Sequence, residues 1–129
     1  MDLTNGGSKL TSFKLSYLAI PFILILVDLP WLLLGSKNSK SMIKDIQGSD
    51  MTVKWLPSIV VYVALSYLIL LPTTSLEAFL LGTATYAVYD FTNLATLDKY
   101  KTWFAITDSL WGGVLFLIVF NVLKWLKIN

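Results

Sequence analysis

Four apolar stretches, at about 15–34, 53–71, 76–97 and 102–126, are each close to the roughly 20 residues that a helix needs to cross a hydrocarbon core. A soluble helical bundle would carry polar outer faces at a helical period, whereas 58–71 and 114–123 are apolar nearly all round. With 56% hydrophobic residues and a mean hydropathy of +0.70, the 129 residues read as one integral membrane domain over 1–129. The expected fold is an all-α four-transmembrane-helix bundle surrounded by lipid. Trp55, Trp103 and Trp125, with Lys54, Lys101, Lys124 and Lys127, stand where aromatic and snorkelling residues meet the headgroups.

Two of the three links are tight, near 72–75 and 98–101, so the second, third and fourth helices should run up, down and up. The first link, 35–52, is longer. There Met42, Ile43 and Ile46 share one side of a helical turn and a half, with Ser39 or Ser41 available as a cap and Gly48 as a stop, which allows a short interfacial helix. A solvated loop fits the same residues.

The first apolar stretch follows Lys9 and Lys14 but holds Asp28 and Pro30 where a cleavage site would fall, so it reads as a retained helix rather than a signal peptide. The first nine residues, with Gly6, Gly7 and Ser8, read as a flexible tail. Lys37, Lys40, Lys44, Lys54, Lys99 and Lys101 flank the first and third links, against Lys9, Lys14, Lys124 and Lys127 near the termini. The positive-inside rule then sets both termini on one side, outside.

Asp28, Asp90 and Asp108 each lie within a different apolar stretch. An ionisable side chain at bilayer depth costs several kcal/mol, so a helix that keeps one pairs it, wets it or uses it. Asp28 stands six residues before Leu34, Asp90 seven before Leu97 and Asp108 six after Thr102. At a rise of about 1.5 Å per residue all three lie roughly 9 to 10 Å inside the same boundary, and Tyr62 reaches a similar depth. Thr83, Tyr86, Asp90 and Asn93 share one helical face, as do Asp108, Trp111, Gly112 and Leu115, and Tyr17, Leu24, Asp28 and Trp31. Ala78 with Gly82, and Ala105 with Ser109 and Gly113, recur at four-residue spacing and permit close helix approach.

The candidate site is therefore a proton- or cation-binding cluster of Asp28, Asp90, Asp108, Asn93 and Tyr62, supported by Tyr86, Tyr89, Trp31 and Trp111. Three carboxylates at one level with no buried base would repel one another. Either a proton is held among them or a cation sits between them, and an all-oxygen set suits a hard cation. No cofactor is identified beyond such a cation. Alternatively the acids, protonated, hydrogen-bond to their neighbours and fasten the helices together. Asp28-x-x-Trp31 and Asp108-x-x-Trp111 look like a repeat running in opposite directions, although two matched residues apiece are readily a coincidence.

Tyr89-Asp90-Phe91-Thr92-Asn93-Leu94-Ala95-Thr96, with Asp28-Leu29-Pro30-Trp31 before it and Asp108-Ser109-Leu110-Trp111-Gly112 after it, resembles the small four-helix membrane proteins of domain of unknown function 2177. The likeness extends from about Leu15 to Leu126. It implies the architecture, marks the same three Asp positions and supplies no activity; such proteins occur in bacteria and in some large DNA viruses. Pro30 departs from the pattern and is placed to kink the first helix beyond its acid.

Composition narrows the remaining classes. All ten basic residues are Lys and none cluster, so a nucleic-acid footprint is missing. The absence of His and Cys removes thiolate catalysis, sulfur-ligated metals and the usual neutral-pH base. The paired acids would suit an intramembrane aspartyl protease, but Ile106-Thr107-Asp108-Ser109 lacks the Gly-x-Gly-Asp setting and no Pro-Ala-Leu segment follows. Two readings stay open. One is a polytopic protein whose cluster binds a proton or small cation, with transport as a further step that would require a homo-oligomer to form a pore. The other is a structural or scaffolding subunit of a membrane assembly, such as a viral inner membrane.

Overall fold

The computed structural model describes residues 13–129, and the expected flexible tail lies outside the described residues. Those residues form five α-helices and no strand. A 3-10 turn at Leu15–Ala19 runs directly into α1 (Ile20–Leu34), where Pro21 occupies the first turn and loses no hydrogen bond by lacking an N–H. Pro30 cannot donate to the Leu26 carbonyl, yet the helix continues through it to Leu34.

The polar link folds as α2 (Ser36–Gln47), which resolves its two readings in favour of the helix. Gly48 stops it at φ 78°, in the left-handed region that favours glycine, and its N–H donates to the Lys44 carbonyl at 2.8 Å. The start differs from expectation. Neither Ser39 nor Ser41 caps α2; Gly35, itself in the right-handed helical region, passes the chain directly from α1, and no extended residue is left to cap. The Ser39 hydroxyl instead donates to the Ser36 carbonyl at 3.2 Å.

Helix α3 (Trp55–Leu68) is shorter than the apolar stretch that contains it. Pro72 disfavours helix in the residue before it, and the chain turns over 69–71. Helix α4 (Ser75–Thr96) begins on a Thr74 cap, with the Glu77 N–H donating to Thr74 Oγ1 at 3.1 Å and Glu77 Oε2 accepting from the Thr73 N–H at 2.7 Å. A tight link then leads into α5 (Thr102–Trp125).

Helices α4 and α5 pack most intimately, as the small residues predict. A Cβ on Gly82 would run into the Gly112 carbonyl oxygen, and one on Gly112 into the Tyr86 ring. Helix α1 packs on both α5 and α3, while α2 lays Met42 against Tyr100 and Ala105 of the α4–α5 corner. A larger core joins Leu24, Leu65, Leu115, Phe116, Val119 and Leu123.

Polarity is inverted relative to a water-soluble domain. Leu33 and Val88 are each 71% exposed, whereas Asp90 is fully buried, Asp28 5% exposed and Asp108 8%. So large an apolar exterior calls for a lipid surround. Two segments are long and apolar enough to cross a membrane, Leu15–Leu34 and Thr102–Trp125; Trp55–Leu68 is apolar but shorter. Its 14 residues cover about 21 Å against a core of about 30 Å. Helix α4 has the length, but Glu77, Asp90, Asn93 and its threonines lower its hydropathy.

Candidate functional site: a file of buried acids between crossed tryptophans

Helical phase turns Asp28 and Trp31 of α1 toward Asp108 and Trp111 of α5. The Trp31 indole N–H donates to Asp108 Oδ1 at 2.9 Å, and the Trp111 indole N–H donates to Asp28 Oδ1 at 2.7 Å. The two rings stack, centroids 5.6 Å apart and planes 14° from parallel. Each Asp-x-x-Trp motif thus serves the acid of the other. The opposite directions of the two motifs suit antiparallel helices, each Trp lying about 4.5 Å along its helix from its own acid and beside the acid of the other.

Tyr62 of α3 completes the first acid by donating its hydroxyl to Asp28 Oδ2 at 2.8 Å. The second centre is Asp90. Its Oδ1 accepts from the Tyr100 hydroxyl at 2.6 Å, and its carboxyl lies within hydrogen-bonding reach of Asp108. Ser109 Oγ is 3.5 Å from Asp90 Oδ2, but its one proton is better placed toward the Ala105 carbonyl at 2.6 Å.

The acids form a file in which Asp108 neighbours both Asp28 and Asp90. Tyr86 lies within electrostatic range of all three. Among the described residues no group of three or more Asp, Glu, His or Cys is set to hold a metal ion. Each carboxyl has neutral donors of its own, the crossed tryptophans on Asp28 and Asp108 and Tyr100 on Asp90.

Asn93 belongs to the expected cluster. It sits beside Tyr89 and Tyr100 at the edge of the site, and the Tyr89 ring is largely exposed. Tyr100 went unrecognised in the sequence because it belongs to a link. The turn that joins its N–H to the Leu97 carbonyl at 3.1 Å folds the ring back beneath α2, where burial and the Asp90 carboxylate raise its phenol above the ordinary tyrosine range.

No described Lys reaches the acids; the ion pair among the described residues is Lys44–Asp50, at 3.5 Å on the surface. A cavity of about 530 Å³ opens between α3 and α4, under α2, with Asp28 and Asp108 in its wall. Asp90 lies behind Tyr100, outside that wall.

Fold and site together define a small helical membrane protein with an apolar exterior and acids turned inward. The chain belongs to the family described as predicted membrane protein DUF2177, which it matches over residues 13–122. No curated protein and no solved structure matches it.

Proposed function

We propose that the chain is a multi-pass membrane protein of four spans, with α1, α3, α4 and α5 crossing the bilayer, α2 at the interface and both termini on the outer side. In this reading the three acids form a proton-binding centre. The observation that carries it is that the Asp90 and Asp108 carboxyls are neighbours, both buried and neither paired with a described Lys. A hydrogen bond between two carboxyls requires a proton on one of them, and two acids in contact titrate as a pair. Proton exchange with the cavity through Asp108 is the step that transport would use. Proton flux in liposomes, wild type against Asp90→Asn, tests it: loss of flux in the variant supports transport, and equal flux removes it.

A second reading makes the acids fasteners within a structural or scaffolding subunit, and the crossed Trp–Asp bonds favour it specifically. They join α1 to α5 through two neutral donors and one ring stack. A stable stoichiometric partner on purification from native membranes supports this role, and recovery of the chain alone, with proton flux dependent on Asp90, counts against it.

A further inference from the structure

The cavity has a chemical character that a proton site does not require. Its wall combines the carboxyls of Asp28 and Asp108 with the rings of Trp31, Tyr62 and Tyr86, and no described Lys lines it. Apolar side chains line much of the remainder, among them Val61 and Leu65 from α3 and Met42 from α2, with the hydroxyls of Ser36, Ser39 and Thr85 between them. At about 530 Å³ it falls within the range of roughly 300 to 1,000 Å³ typical of sites for organic molecules, far beyond what one inorganic ion fills. Val61, on the wall, is 52% exposed, as are its α3 neighbours Val60 and Val63 at 59% and 57%, so this side of the cavity borders the apolar exterior of the helix.

We propose that this cavity binds an amphiphile with an ammonium head group and an apolar tail. The inference rests on the acids serving as a cation-accepting centre and names the cation. The head lies against Asp28 and Asp108, whose carboxyls keep acceptor capacity beyond the tryptophan and Tyr62 bonds, since an ionised carboxylate offers about four lone-pair sites. Tyr62, Tyr86 and Trp31 face it with aromatic surface, which attracts a desolvated cation. The tail leaves between α3 and α4 past Val61 and Leu65. An anionic amphiphile meets two acids with no base, and a head group without a tail leaves the apolar wall empty.

Isothermal titration of the full chain in maltoside micelles tests the assignment with octyltrimethylammonium, tetramethylammonium and octyl sulfate. Octyltrimethylammonium should saturate one site per chain, with the other two at least tenfold weaker. Asp28→Asn should weaken it at least tenfold. Because that variant also loses a partner of Trp111 and Tyr62, Val61→Trp serves as a second probe: placed at the lipid edge, it should block binding while leaving the thermal midpoint unchanged. Equal binding of octyl sulfate, or full affinity in both variants, overturns the proposal.

Repeating the titration in nanodiscs distinguishes the source of the head group. Weaker apparent binding in phosphatidylethanolamine than in phosphatidylglycerol discs assigns it to a lipid, and equal binding to a free amphiphile. Proton uptake measured on the same samples separates the two levels of argument. Uptake without ammonium binding overturns this inference and leaves the proton centre standing; ammonium binding without uptake does the reverse.

Discussion

Trp31 donates its indole proton to Asp108 across 77 residues of sequence, and the bond is answered by Trp111 donating to Asp28. The crossing ties the C-terminal half of α1 to the N-terminal half of α5. Each indole also stacks on the other, so the two hydrogen bonds and the ring contact hold one another in place.

Replacing either tryptophan by Phe keeps an aromatic ring and removes the donor. Trp31→Phe and Trp111→Phe should each lower unfolding stability by about 1 to 3 kcal/mol, the cost of leaving a buried acid short of a partner. Because the rings stack, the double variant should depart from additivity by about 0.5 to 1.5 kcal/mol. Reversible unfolding in mixed micelles measures both, and strictly additive losses would separate the two bonds.

The α4–α5 seam makes a steric prediction. Gly82→Val forces side-chain carbons into the Gly112 carbonyl and Phe116, and should cost about 1 to 3 kcal/mol or prevent folding. Gly48→Ala meets open space and should cost only about 1 to 2 kcal/mol, through its left-handed backbone. Thermal unfolding of the two variants checks the order.

Tyr100 sets an alkaline limit. Its phenol is raised above the ordinary value of 10.0 by burial and by the bonded Asp90 carboxylate. The folded chain then holds this proton more tightly than the unfolded one, so the contribution is full below about pH 10 and is lost as pH rises through the folded value. Stability should fall more steeply above pH 10 in wild type than in Tyr100→Phe. Parallel alkaline titrations followed by circular dichroism measure the difference.

The four-span arrangement predicts sidedness. Since the chain has no Cys, Thr73→Cys and Asp98→Cys introduce single labels in the α3–α4 and α4–α5 links. A membrane-impermeant maleimide should reach them from opposite faces of oriented vesicles. Labelling from one face contradicts a membrane-crossing α4.

What the sequence disclosed follows from what each signal measures. The apolar stretches located α4 and α5 to within a residue and α1 at its end, because polar links interrupt the hydropathy at those points. They overran α3, where Pro72 rather than hydropathy sets the end. Depth arithmetic brought Asp28, Asp90 and Asp108 to one level, since rise per residue is nearly constant. It could not order them, because order depends on helix rotation and on which donors claim each carboxyl. Tyr100 escaped because a link residue has no helical phase from which to read its direction. The Asp-x-x-Trp pairs were visible as strings, but their reciprocity depends on α1 and α5 being antiparallel neighbours.

The proposed proton between Asp90 and Asp108 is tested most directly by infrared spectroscopy of the carboxyl C=O stretch in isotope-edited protein at neutral pH. Wild type should show a protonated-carboxyl band that disappears in Asp90→Asn and in Asp108→Asn. A wild-type spectrum containing only ionised carboxylate bands would contradict the account.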